Sequence, residues 1–124
     1  MPSSERNEGD AGSGGSPLPA SPSEIRAELA RVVESPEFSV TERVRAFLRY
    51  VVEETLSGRA DRIKAYSIAI EVFERDEAFT PDDPVVRIEA GRLRRALERY
   101  YLVAGQTDPV QIDIPKGGYV PVFT

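Results

Sequence analysis

The chain contains no cysteine, histidine or tryptophan, and none of its hydrophobic runs is long. Without cysteine and histidine, the sequence excludes disulfide frameworks, Cys/His zinc sites, thiol nucleophiles and Ser–His–Asp triads. No segment approaches about 18 consecutive apolar residues, and the N-terminus lacks the basic-then-apolar pattern of a secretory signal. The expectation is a cytoplasmic protein that is not an enzyme and has no cofactor, no metal and no membrane partner.

Positive charge is also scarce. The 124 residues include 16 Lys and Arg against 21 Asp and Glu, which gives a formal net charge of −5. Such a chain repels nucleic acid overall, so any contact with nucleic acid has to come from a local basic patch. The length is sufficient for one domain with one modest core.

The N-terminal stretch, residues 1–20, consists mainly of Ser, Gly, Pro and acidic side chains. A segment of this kind buries too little apolar surface to offset the entropy lost on ordering. It is therefore predicted to be a disordered acidic tail, and residues 21–124 are expected to form a single folded domain.

Two Ser-x-x-Glu sequences predict where the first helices begin. In such a capping box the serine accepts from the amide three residues on, and the glutamate reaches back to the amide of the serine. The first box begins at Ser21, and its helix is expected to end near Glu34, before a Ser-Pro pair. The second box begins at Ser39 and opens a more strongly amphipathic helix. A short helix over residues 65–73 follows.

The longest predicted helix spans residues 84–104, and the other elements are arranged around it. Asp83 can cap it, Pro84 suits its first position because proline lacks an N–H, and Gly105 ends it. At about 100° per residue its apolar side chains fall on one stripe. This stripe is expected to face the core and comprises Val86, Ala90, Leu93, Leu97 and Tyr100.

Five arginines against two glutamates make this helix locally positive in an acidic chain. The half of the helix opposite the core stripe, and one flank of it, carry Arg87, Gly91, Arg94, Arg95 and Glu98, then Ile88, Arg92 and Arg99. One interpretation is a solvated face, which is the usual origin of charge on an amphipathic helix. The other is a helix that lies in a DNA groove.

The end of the chain has the pattern of a β-hairpin. Residues 110–114 alternate between polar and apolar side chains, residues 119–123 are rich in β-forming types, and Pro-Lys-Gly-Gly lies between them. This pattern predicts a hairpin over residues 110–123 with Lys116 near its tip.

Several phrases resemble a known family. The run V-R-I-E-A-G-R-L-R-R-A-L at 86–97, followed by a hairpin ending in G-Y, is similar to the output domains of OmpR-like bacterial response regulators. A closer resemblance is to the N-terminal module of bacterial regulators with adenylate-cyclase or tetratricopeptide regions. The phrases that carry it are F-L-R-Y-V-V-E-E-T-L-S-G-R at 47–59, E-V-F-E-R at 71–75, D-P-V-V-R at 83–87 and P-K-G-G-Y-V-P-V-F at 115–123.

The resemblance implies a fold and a function for residues 38–123. The fold is mainly α with a C-terminal β-hairpin, a winged helix-turn-helix, here with an extra N-terminal helix in place of the β-sheet that OmpR-like domains have at that point. The expected function is sequence-specific binding of duplex DNA by a transcriptional regulator, through the 84–104 recognition helix and the 110–123 wing.

The candidate DNA contacts divide by role. The resemblance implies that Arg92, which matches the R-L-R motif, reads bases, because arginine presents a two-pronged fork to guanine O6 and N7. We expect Arg87, Arg94 and Arg95 to contact phosphates, which fixes the position of the helix without reading sequence. The alternative for each is a surface arginine paired with a nearby acid such as Glu89.

Other residues carry open alternatives. Gly91 lets the helix backbone approach DNA closely, or has no such purpose, and Lys116 is either a wing contact or a lysine in a solvent turn. Residues 100–103 pack on the hairpin and the first helix, or form a homodimer seam. The competing function is a protein-interaction module without DNA binding, which uses the basic helix or the loop at 74–82 on RNA polymerase or another regulator.

Overall fold

The computed structural model describes residues 20–74 and 84–124, which contain four α-helices followed by a two-stranded antiparallel sheet. The elements in chain order are α1 (Pro22–Glu34), α2 (Glu42–Leu56), a 3-10 turn (Ala60–Arg62), α3 (Ala65–Glu71), α4 (Val85–Val103), β1 (Ile112–Asp113) and β2 (Val122–Phe123). A mainly helical chain with an N-terminal helix and a C-terminal hairpin is therefore confirmed. Nearly all of the tail predicted over 1–20, most of the 74–82 loop and the Asp83 cap lie outside the described residues.

Helix α1 begins as its capping box predicts. Ser21 Oγ accepts from the Glu24 amide at 3.2 Å, and Glu24 Oε1 accepts from the Ser21 amide at 2.8 Å. The helix packs on α2 through a buried apolar face, and Arg26 binds both carboxylate oxygens of Glu53 on α2. Local capping and long-range packing thus agree in placing this helix.

Helix α2 begins two residues later than predicted, because Thr41 and not Ser39 is its cap. Thr41 Oγ1 accepts from the Val44 amide at 3.3 Å. The Val40 carbonyl, which an earlier start would need as an acceptor for that amide, instead accepts from Arg45 Nη1 at 2.9 Å. The Val44 amide and the Val40 carbonyl, which would bond to each other in a longer helix, are therefore engaged elsewhere. The prediction that the helix begins directly after Ser39 is wrong.

Helix α4 lies against α2, α3 and β1. It begins at Val85, with Pro84 in the capping position and not in the first helical position. Every residue of the predicted core stripe is buried, with at most 4% exposed: Val86, Ala90, Leu93, Leu97 and Tyr100. The helical phase predicted for the basic side is therefore confirmed. No helix in the described segments combines the length and apolar character needed to cross a membrane.

The hairpin is shorter than predicted. Ile112 pairs with Phe123 and Asp113 pairs with Val122, whereas strands over 110–114 and 119–123 were expected. Toward the turn, the next hydrogen-bonded position would require Pro115 to donate, and proline has no N–H. Beyond the ladder, the loop contacts the helices through Tyr119, whose ring centroid lies 6.2 Å from that of Phe47 on α2.

Candidate nucleic-acid interface

The side of α4 that faces away from the core forms a basic face, which we define by Arg87, Gly91, Arg92 and Arg95. The three arginines are exposed, and Gly91 is half-buried among them. A Cβ atom on Gly91 would lie 3.5 Å from Arg95 Nη1, an ordinary van der Waals distance. Packing therefore does not require a glycine here. Because Gly91 has no side chain, the helix backbone is less covered at the centre of the basic face.

Two arginines of this face and the lysine of the hairpin loop have no carboxylate partner among the described residues. Within residues 20–74 and 84–124, Arg87, Arg95 and Lys116 make no salt bridge and no side-chain hydrogen bond. Lys116 lies beside α4, on the same groove as Arg94 and Glu98. Their positive charge is therefore available to an external anion.

Arg92 has an internal partner. Its Nη1 donates to Glu89 Oε1 at 2.7 Å, while 59% of the arginine side chain stays exposed. The Glu89 side chain is only 6% exposed, and its other oxygen lies 3.5 Å from Nη1 of Arg43 on α2. The guanidinium carbon of Arg43 in turn lies 5.2 Å from the centroid of the Phe73 ring. The predicted base-reading arginine is thus held by a buried carboxylate.

Arg94 holds the hairpin loop to α4. Its Nε donates to the Ile114 carbonyl at 2.8 Å, and its Nη2 donates to the Gly118 carbonyl at 2.7 Å and more weakly to that of Pro115 at 3.4 Å. The two short bonds span the turn that carries Lys116. We therefore assign Arg94 the role of holding the hairpin loop in position. The sequence pattern did not indicate this contact.

A shallow groove of about 550 Å³ runs along the flank of the basic face, between α4 and the start of α2. Its lining has an apolar floor and a rim of hydroxyl groups and arginines, comprising Val40, Val44 and Ala96, then Ser39, Thr41, Arg92, Arg95 and Arg99. Arg99 is paired with Glu37 at 3.0 Å. Only Arg95 of the three arginines therefore has no carboxylate partner in the part of the chain described.

The C-terminal end of α4 is held by a buried polar network. The Tyr101 hydroxyl donates to Glu28 Oε2 of α1 at 2.7 Å and accepts from the Ile112 amide at 2.9 Å. Arg31 donates to the other oxygen of Glu28 at 2.8 Å. Burial raises the pKa of Glu28 and of Tyr101. Both tyrosines of the predicted 100–103 cluster lie largely inside the fold, whereas Leu102 and Val103 remain exposed.

Sequence reasoning missed Glu28 and Glu89 as buried residues. Each lies three residues after one buried apolar residue and four before another, so the spacing places it at the core side. Each also has an arginine three residues later that pairs with it. The sequence signal for such a buried ion pair is a glutamate at a core-facing position with an arginine three residues later.

Nothing in the described ranges forms a cluster of acidic side chains suited to a metal ion. Comparisons with protein-family models, curated proteins and solved structures gave no match for the chain. The features that point to a function are therefore the basic face, the hairpin loop and the contacts that hold them.

Proposed function

We propose that this chain is a winged helix-turn-helix domain that binds duplex DNA and regulates transcription. Helix α4 is the recognition helix, α3 is the preceding helix of the motif, and the hairpin is the wing. The order of elements supports this assignment, as do the packing of α3 on α4 and the attachment of the hairpin loop to α4 by Arg94. The proposed location is the bacterial cytoplasm, where such a domain meets DNA.

The observation that carries the proposal is the distribution of unpaired cations. Most of the arginines that the structure describes are paired with carboxylates, as Arg26, Arg49 and Arg59 illustrate. Arg87 and Arg95 on the basic face have no such partner among the described residues. Phosphate contacts supply most of the affinity of DNA-binding proteins, so unpaired cations on the outward side of a helix suit that use.

Two further exposed cations, which were not selected from the sequence, lie just before α3. Arg62 and Lys64 are exposed and make no salt bridge within 4.0 Å in the described segments, although the charge of Arg62 contributes to lowering the pKa of Glu54. In helix-turn-helix proteins the helix before the recognition helix crosses the phosphate backbone. We include both residues as proposed phosphate contacts, together with Arg87, Arg95 and Lys116.

A matched pair of triple variants tests the proposal. Replacing Arg87, Arg95 and Lys116 by alanine should weaken binding to mixed genomic DNA fragments by at least about tenfold in a gel shift at low salt. The control replaces Arg26, Arg49 and Arg59, which changes the net charge equally but lies outside the basic face. Equal losses in the two variants would show that net charge alone governs binding and would contradict the assigned surface.

The second candidate function is a protein-interaction module that contacts RNA polymerase or another regulator. The groove beside α4 favours it, because its apolar floor and arginine rim suit an acidic peptide with apolar side chains. The net charge of −5 also opposes DNA binding. Wild-type protein that fails to shift DNA at low salt, while remaining folded, would favour this candidate.

A further inference from the structure

A buried carboxylate lies directly beneath the proposed DNA-binding surface. The side chain of Glu89 is 6% exposed, and it contacts Arg92 at 2.7 Å and Arg43 at 3.5 Å. A carboxylate is costly to bury unless it is paired and hydrogen-bonded. Here each of its two oxygens faces a guanidinium, so the ion pairs fix the glutamate and the arginines together.

This contact uses only one nitrogen of Arg92. Nη1 donates to Glu89, whereas Nε and Nη2 have no acceptor within the described residues. The edge formed by Nε and Nη2 is one of the two-pronged edges of a guanidinium that match guanine O6 and N7. An arginine already held in place loses less side-chain entropy when it binds.

We propose that Glu89 is the positioning residue that presents Arg92 for base recognition and lowers the positive charge available to phosphate. The inference rests on the proposed DNA binding. Glu89, which also faces Arg43, offsets part of the positive charge of Arg92, so Arg92 adds less to sequence-independent attraction while its outward edge remains able to read a base. Glu89 thereby raises the preference for one sequence over others without raising affinity for DNA in general.

The contacts of Arg43 connect this arrangement to the rest of the fold. Arg43 comes from α2, faces the second oxygen of Glu89, and lies over the ring of Phe73 just after α3. Phe73 also packs edge-on against Phe47 of α2, at 5.6 Å between ring centroids. Glu89 therefore fixes the Arg92 guanidinium relative to α2 and to the end of α3, and not only to its own helix.

The pair formed by Glu28 and Arg31 shows what is particular to Glu89. It has the same spacing in sequence and a similar separation of 2.8 Å, but it lies on α1 beside Asp108. Such a pair serves the fold alone. Only the pair on α4 opens onto the basic face, next to Arg95, so only that pair is expected to influence sequence preference.

The test compares Glu89→Gln with Glu98→Gln. Both remove one negative charge from α4, but Glu98 is exposed and makes no ion pair in the part of the helix described. Binding is measured by fluorescence anisotropy on a duplex selected by the wild-type protein and on an unrelated duplex of equal length. Glu89→Gln should lower the ratio of the two affinities about fivefold or more, mainly through tighter binding of the unrelated duplex. Glu98→Gln should leave the ratio within about twofold.

A second variant keeps the test decisive if Glu89→Gln does not fold. Glu89→Asp retains the charge but shortens the side chain, so it should lower the ratio without tightening binding of the unrelated duplex. In an Arg92→Ala background, neither substitution at position 89 should change the ratio further. Thermal unfolding of each variant, with Glu28→Gln as a buried-carboxylate control, tests whether altered discrimination follows from lost stability.

The outcomes separate this inference from the proposed function. A wild-type protein that selects no duplex and binds none at low salt overturns both. A wild-type protein that prefers its selected duplex, with the same preference in Glu89→Gln and Glu89→Asp, overturns the role of Glu89 and leaves DNA binding standing. A ratio that falls as far in Glu98→Gln as in Glu89→Gln would show a general charge effect and would also overturn that role.

Discussion

The attachment of the hairpin loop to α4 predicts a large effect of Arg94→Ala on stability. The substitution removes two short hydrogen bonds, from Nε to the Ile114 carbonyl and from Nη2 to the Gly118 carbonyl. Hydrogen bonds to a charged group contribute about 1.5–3 kcal/mol each when buried. Water can replace the arginine at these partly exposed carbonyls, so we expect a total loss of about 2–3 kcal/mol. For a domain of this size that corresponds to a fall in melting temperature of about 10–20 °C.

The matched control is Arg95→Ala, on the next residue of the same helix. Arg95 is exposed and makes no hydrogen bond in the described segments, so its loss should change the free energy of unfolding by less than about 0.5 kcal/mol. Circular dichroism at the helix band would follow thermal and urea unfolding of both variants. If the two variants melt within about 3 °C of each other, the carbonyl contacts of Arg94 do not hold the hairpin.

Three further predictions concern stability. Burial raises the pKa of Glu28 above its ordinary 4.5, so the folded chain releases this proton at higher pH than the unfolded chain. The free energy of unfolding, followed by urea denaturation, should therefore fall as the pH rises from about 4.5, and it should fall less in Glu28→Gln. Gly105→Ala would place a Cβ atom against the Tyr100 ring and should cost about 1–3 kcal/mol, whereas Gly118→Ala, with nothing within 4 Å, should be nearly neutral. A chain that begins at Ala20 should still unfold cooperatively on heating, because residues 1–19 contain little apolar surface; a lost transition would refute this.

The helices were predictable where local and tertiary preferences agree. The capping box at Ser21 and the core stripe of α4 are expressed directly in the spacing of residues, and packing reinforces both. The start of α2 was not predictable in the same way. Ser39 and Thr41 are both good caps, and only the structure shows that Thr41 is used while the Val40 carbonyl accepts from Arg45.

The roles of the arginines on α4 were only partly predictable. Helical phase places Arg87 and Arg95 on the outward side, as expected. The partner of Arg94 could not be foreseen, because its acceptors lie 20 and 24 residues away in a loop of no regular structure. The structure contains the ion pair between Arg92 and Glu89, which was the alternative interpretation of Arg92. The burial of Glu89 could not be predicted, because it depends on contact with α2.

DNA binding through the basic face and the wing should depend steeply on salt concentration. The measurement is the affinity of the wild-type protein for duplex DNA, by fluorescence anisotropy from about 50 to 200 mM salt. Five exposed cations on phosphates, each without a salt bridge in the described residues, predict that log K falls against log salt with a slope of about −4 to −5. Lys116→Ala should make the slope shallower by about one unit. A flat response, or no binding at the lowest salt, would contradict the account.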